Sequence, residues 1–234
     1  MTSHQKRRRR DPEATREAIL EAAQVRLAKD GPEALSLSEV ARLAGVNRGT
    51  AYQHFETREK LVKATIDWVS EKLYGAVFGD REQGAERRVE QVDVPALTDK
   101  LAAFAVDNPE LCRIWLQQVI SSPDSSSDIF WTEYQGSMAR FAETELAEGN
   151  IDTEVLSVIM LAGAFLWPVW ARTHGKGEGD WKKLARRFST ECLRLSMYGS
   201  LRAQHYPEIV ERLRVDASPG AEVDVNLKLP GSGH

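Results

Sequence analysis

Apolar residues along this chain recur at three- and four-residue spacing, the repeat of an amphipathic helix. Asp11 followed by Pro12 and Glu13 opens the first such stretch as cap, first helical position and first-turn acid. Ile19, Leu20, Ala22, Ala23 and Leu27 form its inward stripe, and Gly31-Pro32 ends it. Ser36 then caps a short helix and makes a capping box with Glu39, with Leu37, Val40, Leu43 and Ala44 on the apolar side. Gly45 supplies a left-handed residue, Val46 plugs the turn, and Asn47 caps a second short helix running to His54 or Phe55. Thr57 caps a fourth helix that Leu61, Val62, Val69, Leu73 and Val77 carry forward.

Gly79 to Gln91 is polar and reads as a connection. Helical patterns follow at Pro95–Asp107, Glu110–Ile120, Asp128–Glu148, Asp152–Arg172 and Trp181–Leu201, so the fold class is all-α. H-G-K-G-E-G-D separates the last two. After Leu201, Pro207 to Val215 fits one more short helix. The alternation at Val223, Val225, Leu227 and Leu229 fits a flexible tail or packing arm. Val155 to Ala171 carries no charge, yet its roughly 17 residues fall short of the about 20 that a bilayer usually takes. It reads instead as a helix buried on nearly every side, which calls for neighbours beyond one small domain. Together with the Leu184, Phe188, Cys192 and Leu195 stripe it predicts a helical-bundle homodimer and no membrane.

Two short helices about a glycine turn make a helix-turn-helix. Its second helix leaves Asn47, Arg48, Gly49, Thr50, Tyr52, Gln53 and His54 at the exposed side and rims. Arg, Gln, Asn and Thr read base edges, Tyr and Thr hydroxyls bond phosphates, and Gly49 permits close approach to DNA. The run A-G-V-N-R-G-T-A-Y-Q-H-F, preceded by a long amphipathic helix, resembles the DNA-binding domain of tetracycline-repressor-type (TetR-like) transcriptional regulators. Ala44-Gly45-Val46, Gly49, Tyr52 and Phe55 carry the match. Asn47, Ala51 and His54 depart mildly from it. The resemblance implies a phosphate contact from Arg58, a dimer built on the last two major helices, and a small-molecule effector in the second domain. The expected division is a basic arm at 1–10, a head at 11–63, a helical ligand-binding and dimerisation domain at 64–201, and an extension at 202–234.

Charge sharpens this picture. Residues 1–63 hold 13 Lys and Arg against 9 Asp and Glu, whereas the remainder holds 18 against 26. The overall charge of −4 therefore leaves a positive end suited to double-stranded operator DNA. The run Lys6 to Arg10 fits either a solvated tail or an arm on phosphates or in the minor groove. Cys112 and Cys192 lie far apart, as expected of a reduced cytoplasmic protein. His4, His54, His174, His205 and His234 sit at no metal-ligand spacing, and no phosphate loop or nucleophile elbow is present, so neither catalysis, cofactor nor metal is expected. For the effector pocket, Phe104, Trp115, Gln118, Trp131, Tyr134 and Trp167 are the candidate lining, with Gln117, Phe130, Phe141 and Trp170 beside them. They suit a largely apolar or aromatic ligand whose binding releases the operator. A regulator that senses no small molecule, or binds a protein, is the alternative.

Overall fold

Helix α1 (Pro12–Asp30) begins where the Asp11 carboxylate accepts the Glu13 amide at 3.0 Å. It ends at Gly31, whose φ of 77° lets its N–H bond the Leu27 carbonyl. The computed structural model describes residues 11–80, 93–174 and 181–198. The basic arm at 6–10, nearly all of the 79–91 connection, the glycine-rich break after His174 and the tail beyond Leu201 lie outside the described residues. Among those described, every regular element is a helix. The chain divides into two compact units, Met1–Leu193 and Arg194–His234, and of the second only the end of the last helix is described.

Helices α2 (Leu37–Leu43) and α3 (Arg48–His54) close on α1 and on the start of α4 (Arg58–Phe78). Their core holds Ile19, Leu20, Ala23, Leu27, Leu37, Val40, Ala51, Phe55 and Leu61. Two expectations fail here. Ser36 stands at the cap position without a side-chain bond, and the reciprocal half of the box is absent too, since the Glu39 carboxylate takes a charge-assisted bond from Arg26 at 3.0 Å. Leu43, expected to face inward, is exposed, and Leu37, Val40 and Ala41 are the buried residues of α2.

The rest of the first unit consists of α5 (Val94–Asp107), α6 (Pro109–Ser121), α7 (Ile129–Ala142), α8 (Thr153–His174) and the start of α9 (Trp181–Tyr198). Helix α4 runs from the first core into the second, where Val69, Leu73 and Val77 meet Leu101, Trp115, Phe130 and Phe165. Helix α6 also reaches back. Ile114 is buried in the head's core, and the Arg113 guanidinium donates to the Ala28 carbonyl at the end of α1. Helix α7 is shorter than its pattern predicts, stopping at Ala142 instead of near Glu148. There the Thr144 hydroxyl donates to the Phe141 carbonyl at 2.8 Å, and its side chain competes with continued helix. Helix α8 is long and apolar enough to span a bilayer by length and composition, yet packs on α5, α6 and α7. It is not covered on all sides within the chain. Leu161, Ala164 and Phe165 are buried while Val155, Ile159, Leu166 and Trp170 are exposed.

Of the aromatics expected to line a cavity, Trp115, Phe130 and Tyr134 are buried in the second core. Trp115 and Phe130 meet edge to face at 5.2 Å, and Trp115 and Phe165 at 5.4 Å. The Tyr134 ring lies tilted 5.9 Å from Phe130, and burial pushes its phenol pKa up. Edge-to-face contact is the favoured arrangement of such rings. Phe104 and Trp131 pack on the flank of this core, and the Trp167 indole donates to the Leu184 carbonyl at 3.2 Å. The Trp115 indole donates to Asp128 Oδ2 at 3.0 Å. Ser70 donates to Asp128 Oδ1 at 2.8 Å and accepts the Phe130 amide at 3.1 Å, so one carboxylate ties α4, α6 and α7 together. Replacing Trp115 with Phe is expected to lower stability by about 1–3 kcal/mol, since the half-buried Asp128 carboxylate loses a donor and the smaller ring leaves a gap in the core. Urea denaturation of the two chains measures that difference.

Candidate nucleic-acid interface

The turn between α2 and α3 is fixed by backbone geometry. Val46 donates to the Ala41 carbonyl at 3.0 Å and Gly45 to that of Arg42 at 3.3 Å, with Gly45 at φ 65°. This double closure satisfies the last carbonyls of α2 and turns the chain within two residues. Asn47 then caps α3, its Oδ1 accepting the Thr50 amide at 2.7 Å and the Thr50 hydroxyl at 3.0 Å. These bonds engage part of the polar capacity of two residues predicted to face DNA. Ala51 and Phe55 are buried beneath, and Arg16 lies over the Phe55 ring at 5.2 Å.

What remains outward is a compact polar face. Arg48, Gly49, Tyr52 and Gln53 are exposed, while Thr50 and His54 are half-buried. Arg48 rests over the Tyr52 ring at 5.3 Å, with Nη2 3.5 Å from the hydroxyl. A Cβ on Gly49 would stand 3.3 Å from Asn47 Oδ1, so glycine keeps both the cap and the approach open.

The cations around this face differ in their company. On α4, Lys60 pairs with Glu56 and Lys63 with Asp67 at 2.7 Å. Arg58 is held most firmly. Its Nη1 donates to the Glu33 carbonyl at 3.0 Å and to Glu33 Oε2 at 3.3 Å, while Nε donates to Glu59 Oε1 at 3.1 Å. Glu59 and then Glu33 raise the guanidinium's pKa further. The Glu59 carboxyl in turn falls below its ordinary range, through its own backbone amide and through Arg58. Arg42 and Arg48 have no carboxylate partner among the described residues. Sequence reasoning missed Arg42, because its position on the outer side of a helix shows no pattern of its own.

A cleft of about 440 Å³ opens between this region and the second core. Glu33, Arg58, Lys63 and Asp67 line one side, with Gln118, Asp124 and Asp128 opposite. Of the six residues predicted to line an effector pocket, Gln118 is the one found there. Among the described residues no group of His, Cys, Asp and Glu is arranged to hold a metal ion.

Residues 19–65 match the family described as bacterial regulatory proteins, tetR family. Solved structures agree over most of the chain. A bacterial regulatory protein of the tetR family from Rhodococcus RHA1 superposes with a TM-score of 0.59 at 20% identity, covering 78% of this chain and 96% of that one. The chain is TetR-like in sequence at its head and in fold along its body. The structure of AibR in complex with isovaleryl coenzyme A and operator DNA gives the same TM-score, 0.59, at 14% identity, covering 80% of this chain and 100% of AibR. Among curated relatives, the transcriptional regulator TtgR of Pseudomonas putida is 38% identical over 66 residues, 28% of this chain. The chain spans only 31% of that relative's length, so the sequence likeness is confined to the TetR-like head.

Gly45 is the residue on which the TetR-like turn rests. Gly45→Ala meets no neighbouring atom, so its cost is conformational, about 1–2 kcal/mol for a left-handed alanine. The expected result is a lower Tm with unchanged helix content by circular dichroism. A Tm equal to that of the parent chain would contradict this account of the turn.

Proposed function

We propose that this chain is a sequence-specific transcriptional regulator that binds double-stranded operator DNA as a homodimer in the cytoplasm. The head, residues 11–63, reads the DNA, and the body, 64–201, joins the two copies. The observation that carries this reading is the face of α3. A rigidly capped helix presents Arg48, Tyr52 and Gln53 outward around a glycine. Arg and Gln donate to base edges in the major groove, while the Tyr hydroxyl bonds phosphate. The family match of the head and the operator named with AibR support it.

A second copy suits α8. Val155, Ile159, Leu166 and Trp170 lie four, seven and four residues apart, so they make one exposed apolar stripe along the helix. Such a stripe covered by its own symmetry mate would hold two heads apart by about one turn of DNA, ~34 Å. Repression is the expected sense, since an operator-bound dimer blocks polymerase without further contacts.

Release by a small apolar or aromatic ligand would require α6 and α7 to part, because Trp115, Phe130 and Phe165 now occupy the space between them. The coenzyme A thioester named with AibR supports an effector on this fold. The packed core favours the second reading, a regulator that senses no small molecule or answers to a protein. Thermal shifts across a metabolite panel separate the two, since a ligand that binds the native state raises Tm.

Selection of bound fragments from a random DNA pool is expected to return a palindrome. Gln53→Ala should then lose about 1–3 kcal/mol on the preferred sequence and relax selectivity at its position. Equal loss on every operator variant would contradict base reading by Gln53. Ile159→Asp is expected to yield monomers in sedimentation velocity and to weaken operator binding.

A further inference from the structure

We propose that Glu33 sets the strength of DNA binding by competing with phosphate for the Arg58 guanidinium. The inference rests on the DNA-binding reading above and adds a residue to it. Arginine offers five N–H donors and grips a phosphate best with two of them along one edge. In this structure both such edges are occupied in part. Nη1 gives its bonds to the Glu33 carbonyl and carboxylate, and Nε gives its bond to Glu59. Nη2 therefore stands between two engaged nitrogens. A phosphate that takes the Nη1–Nη2 edge must displace Glu33, and one that takes the Nε–Nη2 edge must displace Glu59.

Glu33 is the adjustable partner. It lies on the segment between α1 and α2, outside any helix, and its side chain is 89% exposed. Among the described residues its carboxylate makes no other hydrogen bond, so neutralising it leaves the fold in place. The Glu33 carbonyl remains after such a change, and it still holds the arginine near α4. Glu59, by contrast, sits in the first turn of α4, where its charge also complements the helix dipole. Charge removed at Glu33 thus acts on the arginine, whereas charge removed at Glu59 acts on the helix as well.

The test is a thermodynamic cycle on the full chain with the selected operator duplex, titrated across a range of salt concentrations. Glu33→Gln is expected to tighten binding by about 1.5- to 5-fold at low salt. It should also steepen the slope of log K against log salt by about 0.9, the value of one added phosphate contact. In the Arg58→Gln background the same change should produce neither effect. Equal tightening in both backgrounds would show a general loss of negative charge near DNA and would overturn the proposal. Weaker binding by Glu33→Gln would also overturn it, by showing that the pair is a brace the head requires. If the parent chain binds no duplex from the pool, the DNA-binding reading fails first and this inference falls with it. Matching melting curves for all four chains confirm that the comparison is made between folded proteins.

Discussion

Helix α4 has to satisfy two cores with one continuous stripe, and the rest of the molecule is arranged around that constraint. Leu61 and Ile66 lie in the head's core, and Val69, Leu73 and Val77 in the body's. Because a helix transmits orientation along its whole length, the direction in which α3 faces is set by how α4 seats in the body. Two further ties fix that seating. Ser70 joins the Asp128 carboxylate that also holds the Trp115 indole, and α6 places Ile114 and Arg113 against the head. A head anchored at α4 alone could swing. One that α6 also touches cannot move without disturbing the aromatic core behind it.

Much of this was legible in the sequence because it follows from local chemistry. Asp11, Asn47, Thr57, Asp128 and Asp152 each accept an amide in the first turn of the helix they open. Gly45 takes the positive φ its place in the turn demands. Apart from α7, which a local Thr144 bond cuts short, the failures are matters of tertiary competition. Ser36 and Glu39 have the spacing of a capping box, but Arg26 lies thirteen residues earlier and only the fold brings it to Glu39. The aromatic residues of the body were visible as a set. Whether they surround a space or close one depends on how three helices meet, and periodicity does not encode that. Glu33 gave no signal at all, since an exposed acid in a loop is ordinary until a guanidinium is found on it.

The interface candidate combines rigidity with restrained charge. Caps and a doubly closed turn fix the backbone of α3, so binding would demand little ordering of the chain. Among the described residues, Arg58, Lys60 and Lys63 pair with Glu33, Glu59, Glu56 and Asp67, whereas Arg16, Arg42 and Arg48 have no carboxylate partner.

Trp68 sits where the two cores meet, packed against both, with the Lys72 ammonium 4.2 Å above its ring. Indole emission responds to a nearby positive charge and to the polarity of its surroundings. The joint between head and body therefore carries an intrinsic optical gauge, placed by the same packing that transmits motion through it. A chain keeping Trp68 as its sole indole would register rearrangement at that joint as a change of colour, with no label attached and no DNA present.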